Sequence, residues 1–268
     1  MTTTVIYHGN CFDGFGAAWA AWKALGETAE YRAALYGDPP PTLINADQGK
    51  LYLLDFSFPR NILIALTKEF DLTVLDHHKT AQADLDGLAF AKFDLAKSGA
   101  TLAWEHFHPD KPIPPMISYV QDRDLWKFDL PGSREISAWM RSWPFDFGWW
   151  SRAEVDLRLA FEECRKEGEA ILRFQQQQVS NMADNFFWKE MRGNIVPVVN
   201  ATVFFSEVGE ELCKRHPNSP FSAYYLDRKD GKRQWGLRSR GGFDCSKVAK
   251  LYGGGGHPGA AGFEEDIP

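Results

Sequence analysis

The sequence lacks several features that would place it in a special class of protein. No stretch of about 18 apolar residues occurs, which excludes a transmembrane helix and predicts no membrane partner. The four cysteines lie far apart without a CxxC spacing, so they predict reduced thiols in a cytoplasmic protein and no disulfide frame or structural zinc site. The first residues lack a basic segment followed by an apolar one, so we do not expect a secretory signal.

The charge balance is acidic, with a formal net charge of −6 over 268 residues. This argues against bulk binding of duplex nucleic acid, although it leaves a local anion site open. The 44% hydrophobic and 25% charged fractions are typical of a globular protein, and the length predicts about two domains. Basic residues are concentrated between positions 212 and 250, where they fit either a solvated strand edge or an anion-binding face. They are Lys214, Arg215, Arg228, Lys229, Lys232, Arg233, Arg238, Arg240, Lys247 and Lys250.

Apolar strands alternate with helices in the first half of the chain. Strands are predicted over 3–8, 50–55 and 71–76, and helices over 17–25, 61–69 and 98–107, the last with Ser98 as its N-cap. This alternation predicts an α/β fold with a doubly wound, mainly parallel sheet that is covered on both faces.

The second half begins with a proline-free helical block at about 152–185. Short strands are predicted after it at 195–199, 202–205, 222–226 and 234–238, followed by a helix at 245–251. Asp230-Gly231 is a strong hairpin turn. We therefore predict three parts: a metal-binding α/β domain at 1–150, a helical linker at 151–194 and a smaller α/β domain at 195–268.

Metal-ligating side chains recur where the predicted strands of the first domain end. They are His8 with Asp13, then Asp55, then Asp76-His77-His78, and finally Asp122, which we also expect at a strand end. Ligands of open α/β sheets bind at the carboxyl ends of the strands, so these side chains should converge there. Carboxylate and imidazole together suit a divalent cation such as Mn²⁺, Mg²⁺, Fe²⁺ or Zn²⁺. Adjacent strand residues point in opposite directions, so only one of His77 and His78 can be a ligand, and the other would meet a substrate phosphate.

Five ordered motifs resemble those of the DHH phosphoesterases and their companion DHHA1 domain. They are His8-Gly-Asn-Cys-Phe-Asp13-Gly, Leu-Leu-Asp55-Phe-Ser, the Asp76-His77-His78 triplet, Gln-Asp122-Arg-Asp, and the glycine-rich segment from Gly253 to Gly262. The resemblance spans about 5 to 263, and it points to RecJ-like and nano-RNase-like phosphodiesterases. It implies a doubly wound DHH domain, a smaller DHHA1 domain and an active site in the cleft between them.

The resemblance also implies two-metal hydrolysis, usually with Mn²⁺, although Mg²⁺ or another divalent ion would serve. One ion would take His8 and Asp55, and the other would take Asp13, Asp55, His77 and Asp122. Asp55 would bridge the ions, Asp76 would orient a ligand from behind, and His78 would assist at the phosphoryl or leaving oxygen. The residues implied to bind substrate are Arg238, Ser239, Gly254, Gly255, Gly256 and His257.

One position departs from the family pattern. Many members have Asp-x-Asp in the first motif, whereas this chain has Cys11-Phe12-Asp13. Cys11 is either a soft ligand to the first ion or a small residue in a tight loop that leaves this site short of a carboxylate. Occupancy and metal preference of the first site therefore stay open.

The expected substrate is a short oligonucleotide, cleaved by an exonuclease of the nano-RNase type. The alternatives are a phosphatase of nucleoside bisphosphates, an exopolyphosphatase, a cyclic dinucleotide phosphodiesterase, or a catalytically silent nucleotide-binding regulator suggested by Cys11. The aromatic residues Phe12, Trp126, Trp149 and Trp150 could stack bases. The tryptophan-rich segment 139–150 could be a homodimer surface or a contact between lobes.

Overall fold

A computed structural model describes residues 3–37, 39–40 and 49–267. The chain divides into two compact units, Met1–Leu172 and Arg173–Pro268. The division falls within the segment 151–194 that the sequence predicts as a linker. Among the helices of the described residues, none is long and apolar enough to cross a membrane.

The first unit contains a sheet of five parallel strands in the order β2-β1-β3-β4-β5. The strands are β1 (Thr3–His8), β2 (Ala29–Ala34), β3 (Lys50–Leu54), β4 (Asp71–Asp76) and β5 (Ala91–Phe93). The helices are α1 (Phe12–Leu25), α2 (Arg60–Leu66), α3 (Lys79–Asp84), α4 (Gly99–Phe107), α5 (Pro115–Asp124), α6 (Ser133–Arg141), α7 (Phe147–Leu159) and α8 (Phe161–Ala183), which continues into the second unit. The predicted α/β fold with a parallel sheet is confirmed.

Both faces of this sheet are buried, as the near-continuous apolar strands predict. Val5 packs on one face against α1 and α4, and its neighbour Ile6 packs on the other face against α2, because successive side chains of a strand alternate. Small residues such as Ala17 and Ala100, both fully buried, let α1 and α4 lie close together. The buried sheet fixes the positions of the strand ends that carry the polar motifs.

Helix boundaries differ from the sequence-based expectation in three places. Helix α1 begins at Phe12, five residues before the predicted start, so Asp13 lies in its first turn. The helical block at 152–185 is two helices, because Ala160 leaves the helical conformation with φ −136° and ψ 44°. Asp122 lies in helix α5, so the expectation that it lies at a strand end was wrong. Its place on the helix decides which way its side chain points.

The second unit has a mixed sheet of six strands in the order β10-β11-β9-β8-β7-β6. Its strands are β6 (Phe187–Met191), β7 (Asn194–Asn200), β8 (Ser222–Asp227), β9 (Lys232–Arg238), β10 (Gly255–His257) and β11 (Ala260–Asp266), and its helices are α9 (Phe205–Arg215) and α10 (Cys245–Lys250). The hairpin turn at Asp230-Gly231 is confirmed, with Gly231 at φ 82° between the antiparallel β8 and β9.

The strand predicted at 202–205 is wrong. Phe204 has a left-handed φ of 54° and Phe205 begins helix α9, whose buried Val208 and Leu212 follow a helical spacing. The aromatic and β-branched run Thr-Val-Phe-Phe has strand-like composition, but the apolar period after it is that of a helix. Because β7 and β8 are parallel, the chain needs a crossover between them, and α9 provides it.

Candidate metal centre

Three neighbouring strands bring the predicted residues of the first unit to one edge of the sheet. Strand β1 ends at His8, Asp55 follows β3 directly, and β4 ends at Asp76 before His77 and His78. Strands β1, β3 and β4 are adjacent in the sheet, and all run in the same direction. The convergence expected from the sequence is therefore observed.

Asp55 lies at the centre of this group and is 1% exposed. Its Oδ2 is 3.4 Å from His8 Nδ1, and its Oδ1 is 3.2 Å from His77 Nε2. Asp55 has a left-handed φ of 54°, which is a strained conformation typical of functional sites. Gly99 makes room for it, since a Cβ at position 99 would lie 2.4 Å from Asp55 Cβ. The fold thus holds one carboxylate between two imidazole groups.

Asp13 is held by the N-terminus of helix α4. The backbone N–H groups of Gly99 and Ala100 donate to its two carboxylate oxygens at 2.6 and 2.9 Å, and the positive end of the helix dipole favours the charged form. Asp13 Oδ2 is also 3.5 Å from His77 Nε2. Gly14 lets α1 begin directly over β1, because a Cβ there would lie 2.2 Å from the carbonyl oxygen of His8.

Helix α5 brings Asp124, not Asp122, to this group. Asp124 Oδ2 is 3.5 Å from His77 Nε2. The Asp122 carboxylate instead accepts hydrogen bonds from the backbone N–H groups of Asp129 at 3.0 Å and Leu130 at 3.2 Å, and from the Ser133 hydroxyl. Residues two apart on a helix point to different sides, so one helix cannot direct both carboxylates to the same cluster. The structure therefore corrects the expected position of Asp122 and gives that position to Asp124.

Asp76 organises the turn that carries the two histidines. Its Oδ1 accepts hydrogen bonds from the backbone N–H groups of His77 at 2.7 Å and His78 at 3.2 Å, and it lies 2.7 Å from His78 Nδ1. The Tyr36 hydroxyl lies 3.4 Å from the same ring nitrogen. Asp76 thus fixes the orientation of the His78 ring, whereas the sequence-based expectation was that it would orient a metal ligand; that role stays a prediction.

Cys11 is beside the same carboxylate, at the N-cap position of α1. Its Sγ is 3.5 Å from Asp55 Oδ2. His8, Cys11 and Asp55 each place a ligand atom within 4.8 Å of the others, and so do Asp13, Asp55 and His77. Asp55 is common to both groups, which is the arrangement that a carboxylate bridging two ions requires.

The electrostatics of the metal-free centre are dominated by the crowding of like charges. Burial alone would lower the pKa of His77, but the contact with Asp55 and the charges of Asp124 and Asp13 raise it to about 11. Burial and the charges of Asp124 and Asp55 raise the pKa of Asp13 well above its usual range. Three carboxylates gathered around one imidazolium are stable only with positive charge between them, so the donor set fits a divalent cation.

The pKa values of Asp55 and His78 are also set by charged neighbours that outweigh the effect of burial. Burial raises the pKa of Asp55, but contacts with His77 and His8 outweigh it and hold that pKa well below its usual range. Burial lowers the pKa of His78, but the charge of Asp76 outweighs it and raises that pKa. These contacts therefore favour the ionised form of Asp55 and the protonated form of His78.

The residues expected to bind substrate lie in the second unit, around the end of β9 and the hairpin of β10 and β11. The Arg238 guanidinium donates to Ser206 Oγ at 2.7 Å, and the Ser239 hydroxyl donates to the Phe243 carbonyl at 2.6 Å. The glycine run enters β10 and does not simply end α10. Gly254 has a packing role, because a Cβ there would lie 2.0 Å from the Gly262 carbonyl oxygen. Gly256 has φ 130°, and Gly255 and His257 pair with β11. A substrate-binding role for these residues stays a prediction.

Half of the basic cluster at 212–250 is neutralised within the second unit. The ion pairs join Lys214 and Arg240 to Glu210, Arg215 to Asp184 and Glu211, Arg228 to Asp230 and Glu264, and Arg233 to Asp227. For Arg228 and Arg233, the interpretation as a solvated strand edge is therefore favoured over that of an anion-binding face. The expected positive surface is weaker than the sequence count suggests.

The candidate stacking residues differ in exposure. Trp150 is 2% exposed and belongs to the core, where Phe12 packs against it with ring centroids 4.9 Å apart. Trp149 is 41% exposed and stacks on Trp143. Trp139, in the same tryptophan-rich segment, is also buried. Only part of this segment is therefore available for contacts with a ligand or another chain.

Three residues of the centre, Tyr36, Gly14 and Gly99, were missed by sequence reasoning, and Asp124 was interpreted as a spare carboxylate that pairs with a nearby Arg or Lys, whereas it lies beside His77. Asp124 had a signal, since two carboxylates stand two residues apart, but choosing between them requires the phase of helix α5. Tyr36 follows β2, an edge strand with no apolar pattern. Both glycines are required only because another segment comes close to them in the folded chain.

Comparison with known proteins gives one sequence relative and several structural ones. No protein-family model matches the chain. An uncharacterized protein of Acanthamoeba polyphaga mimivirus is 30% identical over 282 residues, and the alignment covers 96% of this chain and 66% of that protein. The chain therefore spans slightly less than two thirds of the length of this relative.

Two solved structures share the fold over almost the whole chain. An uncharacterized protein of Helicobacter pylori has a TM-score of 0.53 at 14% identity, covering 99% of this chain and 93% of its own. RecJ of Thermus thermophilus, solved with Mn²⁺, has a TM-score of 0.52 at 15% identity, covering 99% of this chain and 49% of its own. Sequence identities this low show only that the fold is shared. The resemblance stated from the five motifs is confirmed at the level of the fold, which the chain shares with RecJ.

Proposed function

We propose that the chain is a metal-dependent phosphodiesterase that hydrolyses short oligonucleotides as an exonuclease of the nano-RNase type. The observation that carries the proposal is the group formed by the buried Asp13 and Asp55 and the partly exposed Asp124 around His77 Nε2, with His8 on the far side of Asp55. This group lies at the carboxyl ends of parallel strands, where open α/β sheets bind their ligands. The arrangement has more negative charge than a structural role needs.

The donors divide into two sets that share Asp55. Asp13, Asp55, His77 and Asp124 would hold one divalent ion, and His8 and Asp55 would hold the other. We propose Mn²⁺ for the first set, with Mg²⁺ as the substitute, because carboxylates and imidazole suit these cations. Bound divalent ions would lower the pKa of a water molecule and neutralise the charge that develops on the phosphoryl group.

The protein's own residues would position the phosphoester and supply a proton. Asp76 holds His78 through Nδ1, and the raised pKa of the ring favours its protonated form. A protonated His78 would donate to a phosphoryl oxygen or to the leaving oxygen, and it would take no part in metal binding. Asp13 is kept in place by Gly99 and Ala100, so the carboxylate does not reorganise during the reaction.

The second unit would hold the part of the substrate that does not react. Arg238, Ser239 and the segment 254–257 are the proposed contacts, with backbone N–H groups of the glycine run approaching an anion closely. A short nucleotide with few phosphates is favoured over polyphosphate, since half of the local basic residues are neutralised by acidic neighbours. A reducing, cytoplasmic setting belongs to the same proposal, because all four cysteines are free thiols.

A substrate panel tests the proposal. The purified full chain is incubated with Mn²⁺ and, in parallel, with 5′-labelled short RNA, a nucleoside bisphosphate, polyphosphate and a cyclic dinucleotide. We expect stepwise release of mononucleotides from the RNA. Preferred release of orthophosphate from the bisphosphate or from polyphosphate would assign a phosphatase instead, and preferred opening of the cyclic dinucleotide would assign that activity.

Two variants separate the site from the rest of the fold in this assay. Asp55→Asn removes the shared carboxylate, and Asp71→Asn removes an exposed carboxylate at the opposite end of β4. We expect no turnover from the first variant and full turnover from the second. Ligand binding without turnover of any substrate by the wild-type chain would favour a nucleotide-binding regulator.

A further inference from the structure

The group His8, Cys11 and Asp55 differs in chemistry from the group Asp13, Asp55, His77 and Asp124. The first contains a thiol sulfur, whereas the second contains only oxygen and nitrogen donors. Thiolate is a soft ligand that selects cations such as Zn²⁺, and carboxylates suit Mn²⁺ and Mg²⁺. The two positions that share Asp55 should therefore prefer different metal ions.

Two separations within the first group, those from Asp55 Oδ2 to the Cys11 sulfur and to the His8 nitrogen, match those around a tetrahedral zinc ion. With Zn–S of about 2.3 Å and Zn–N and Zn–O of about 2.0 Å, tetrahedral angles place sulfur about 3.5 Å and nitrogen about 3.3 Å from a shared oxygen. Cys11 Sγ is 3.5 Å and His8 Nδ1 is 3.4 Å from Asp55 Oδ2. These three atoms could coordinate one ion with little movement of the chain.

His8 gives an independent indication of a ligand. Its Nδ1 is buried and makes no hydrogen bond within the described residues, although it lies next to Asp55. A buried ring nitrogen without a hydrogen bond costs free energy unless something else satisfies it. A cation between His8, Cys11 and Asp55 would do so.

The position of Cys11 also needs an explanation in terms of function. It is the N-cap residue of α1, where Ser, Thr, Asp or Asn would stabilise the helix by about 1 kcal/mol, and its side chain makes no capping hydrogen bond. The other three cysteines are buried, and only Cys11 is partly exposed. A cysteine here gives up the cap and places its sulfur at the metal centre.

We infer that Cys11 makes the position of His8, Cys11 and Asp55 selective for a thiophilic cation of the Zn²⁺ class, so that the chain holds two different metal ions. This inference rests on the proposed function and deepens it by naming the ion of the second position. The position of Asp13, Asp55, His77 and Asp124 takes Mn²⁺ or Mg²⁺. Cys11 is then a metal ligand that sets selectivity, and His78 remains the proton donor.

Cobalt substitution tests the inference without any measurement of turnover. The metal-free full chain is titrated with Co²⁺, an ion whose bond to a thiolate gives a charge-transfer band in the near ultraviolet, and bound metal is counted by mass spectrometry. We expect about two bound equivalents and a sulfur-to-cobalt band that saturates with one of them. Offered Zn²⁺ and Mn²⁺ together, the wild-type chain should retain about one of each.

Three variants test whether Cys11 is the source of the sulfur-to-cobalt band. Cys11→Ser should lose the band and one of the two cobalt equivalents, whereas Cys11→Asp should lose the band but bind a second Mn²⁺ when Mn²⁺ is offered. Cys164→Ala, which alters a buried cysteine of the core, should keep both the band and the stoichiometry. Alkylation of Cys11 by iodoacetamide should be slowed by Zn²⁺ in the wild-type chain and not by Mn²⁺.

Failure of this inference can be distinguished from failure of the proposed function. Binding of cobalt by the wild-type chain without the band, whether one or two equivalents, would overturn the role of Cys11 and leave the proposed phosphodiesterase intact. A band that persists in Cys11→Ser would also overturn it. Failure of the folded wild-type chain to bind any divalent ion would overturn the proposed function as well.

Discussion

Exchanging each of the two carboxylates at the end of helix α5 for an amide should produce opposite results. Asp124→Asn removes a carboxylate that lies 3.5 Å from His77 Nε2. Asp122→Asn removes one that accepts three hydrogen bonds, two from the following loop and one from the first residue of helix α6. The first change should impair metal binding and spare the fold. The second should weaken the fold and spare metal binding.

The magnitudes follow from what each carboxylate contacts. Hydrogen bonds to a charged acceptor are each worth about 1.5–3 kcal/mol, and an amide oxygen can keep part of the three. We therefore expect Asp122→Asn to lower the free energy of unfolding by about 2–4 kcal/mol. The pair of Asp124 with His77 is partly exposed, with Asp124 at 27%, so its loss should change the stability of the metal-free chain by no more than about 1 kcal/mol.

Metal affinity should respond in the reverse order. Loss of a partner that merely supports a metal ligand costs about 10–100-fold in affinity, so loss of a ligand should cost at least about 100-fold. We expect that loss in Asp124→Asn. In Asp122→Asn, the loop is altered but the ligands keep their places, so we expect less than about tenfold.

Two measurements on each variant decide the question. Denaturant unfolding of the metal-free chains gives the stability, and titration with Mn²⁺ followed by calorimetry gives the affinity. If Asp122→Asn abolished Mn²⁺ binding while the folded Asp124→Asn chain bound it normally, the ligand set drawn from the geometry would be refuted. The ligand set expected from the motif alone would then stand.

Two further predictions concern the surroundings of the centre. Gly99→Ala should lower the free energy of unfolding by about 1–3 kcal/mol and weaken Mn²⁺ binding, because the new Cβ would lie 2.4 Å from Asp55 Cβ. The control Gly148→Ala, in the first turn of α7, should leave Mn²⁺ binding unchanged. Equal Mn²⁺ affinities of the two variants by calorimetry would contradict this. Binding of Mn²⁺ at pH 7 should release at least about one proton, since the pKa of His77 is raised to about 11 in the metal-free centre and a ligand must be neutral. The affinity should then rise about tenfold per pH unit between pH 7 and 9, and calorimetry in buffers of different ionisation enthalpy measures the release; a pH-independent affinity would count against His77 as a ligand.

The parallel sheet and its polar edge could be predicted from the sequence because both depend on local patterns. Apolar runs such as 50–54 read as buried strands, and a polar residue after such a run marks the carboxyl end. Asp55 and the Asp76-His77-His78 triplet could be placed in this way. Their convergence then followed from the rule that parallel strands end at the same edge.

The remaining residues of the centre depend on information that one segment does not contain. The choice between Asp122 and Asp124 depends on the phase of a helix whose start at Pro115 was not recognised. The need for Gly99 arises only when α4 meets Asp55, and Tyr36 follows an edge strand that its composition does not reveal. The elements of the second unit were harder to predict for the same reason, since α9 begins within a run that has strand-like composition.

The most direct test of the central claim is the rate of cleavage of a short 5′-labelled RNA by the wild-type chain and by Asp55→Asn, measured over a range of Mn²⁺ concentrations. Asp55 is the one carboxylate shared by both sets of donors. We predict that cleavage by the wild-type chain depends on Mn²⁺. The cleavage rate of the variant should be at least about 1,000-fold lower at every Mn²⁺ concentration, in the range seen when one member of a catalytic unit is removed. Turnover of the variant at the wild-type rate would contradict it.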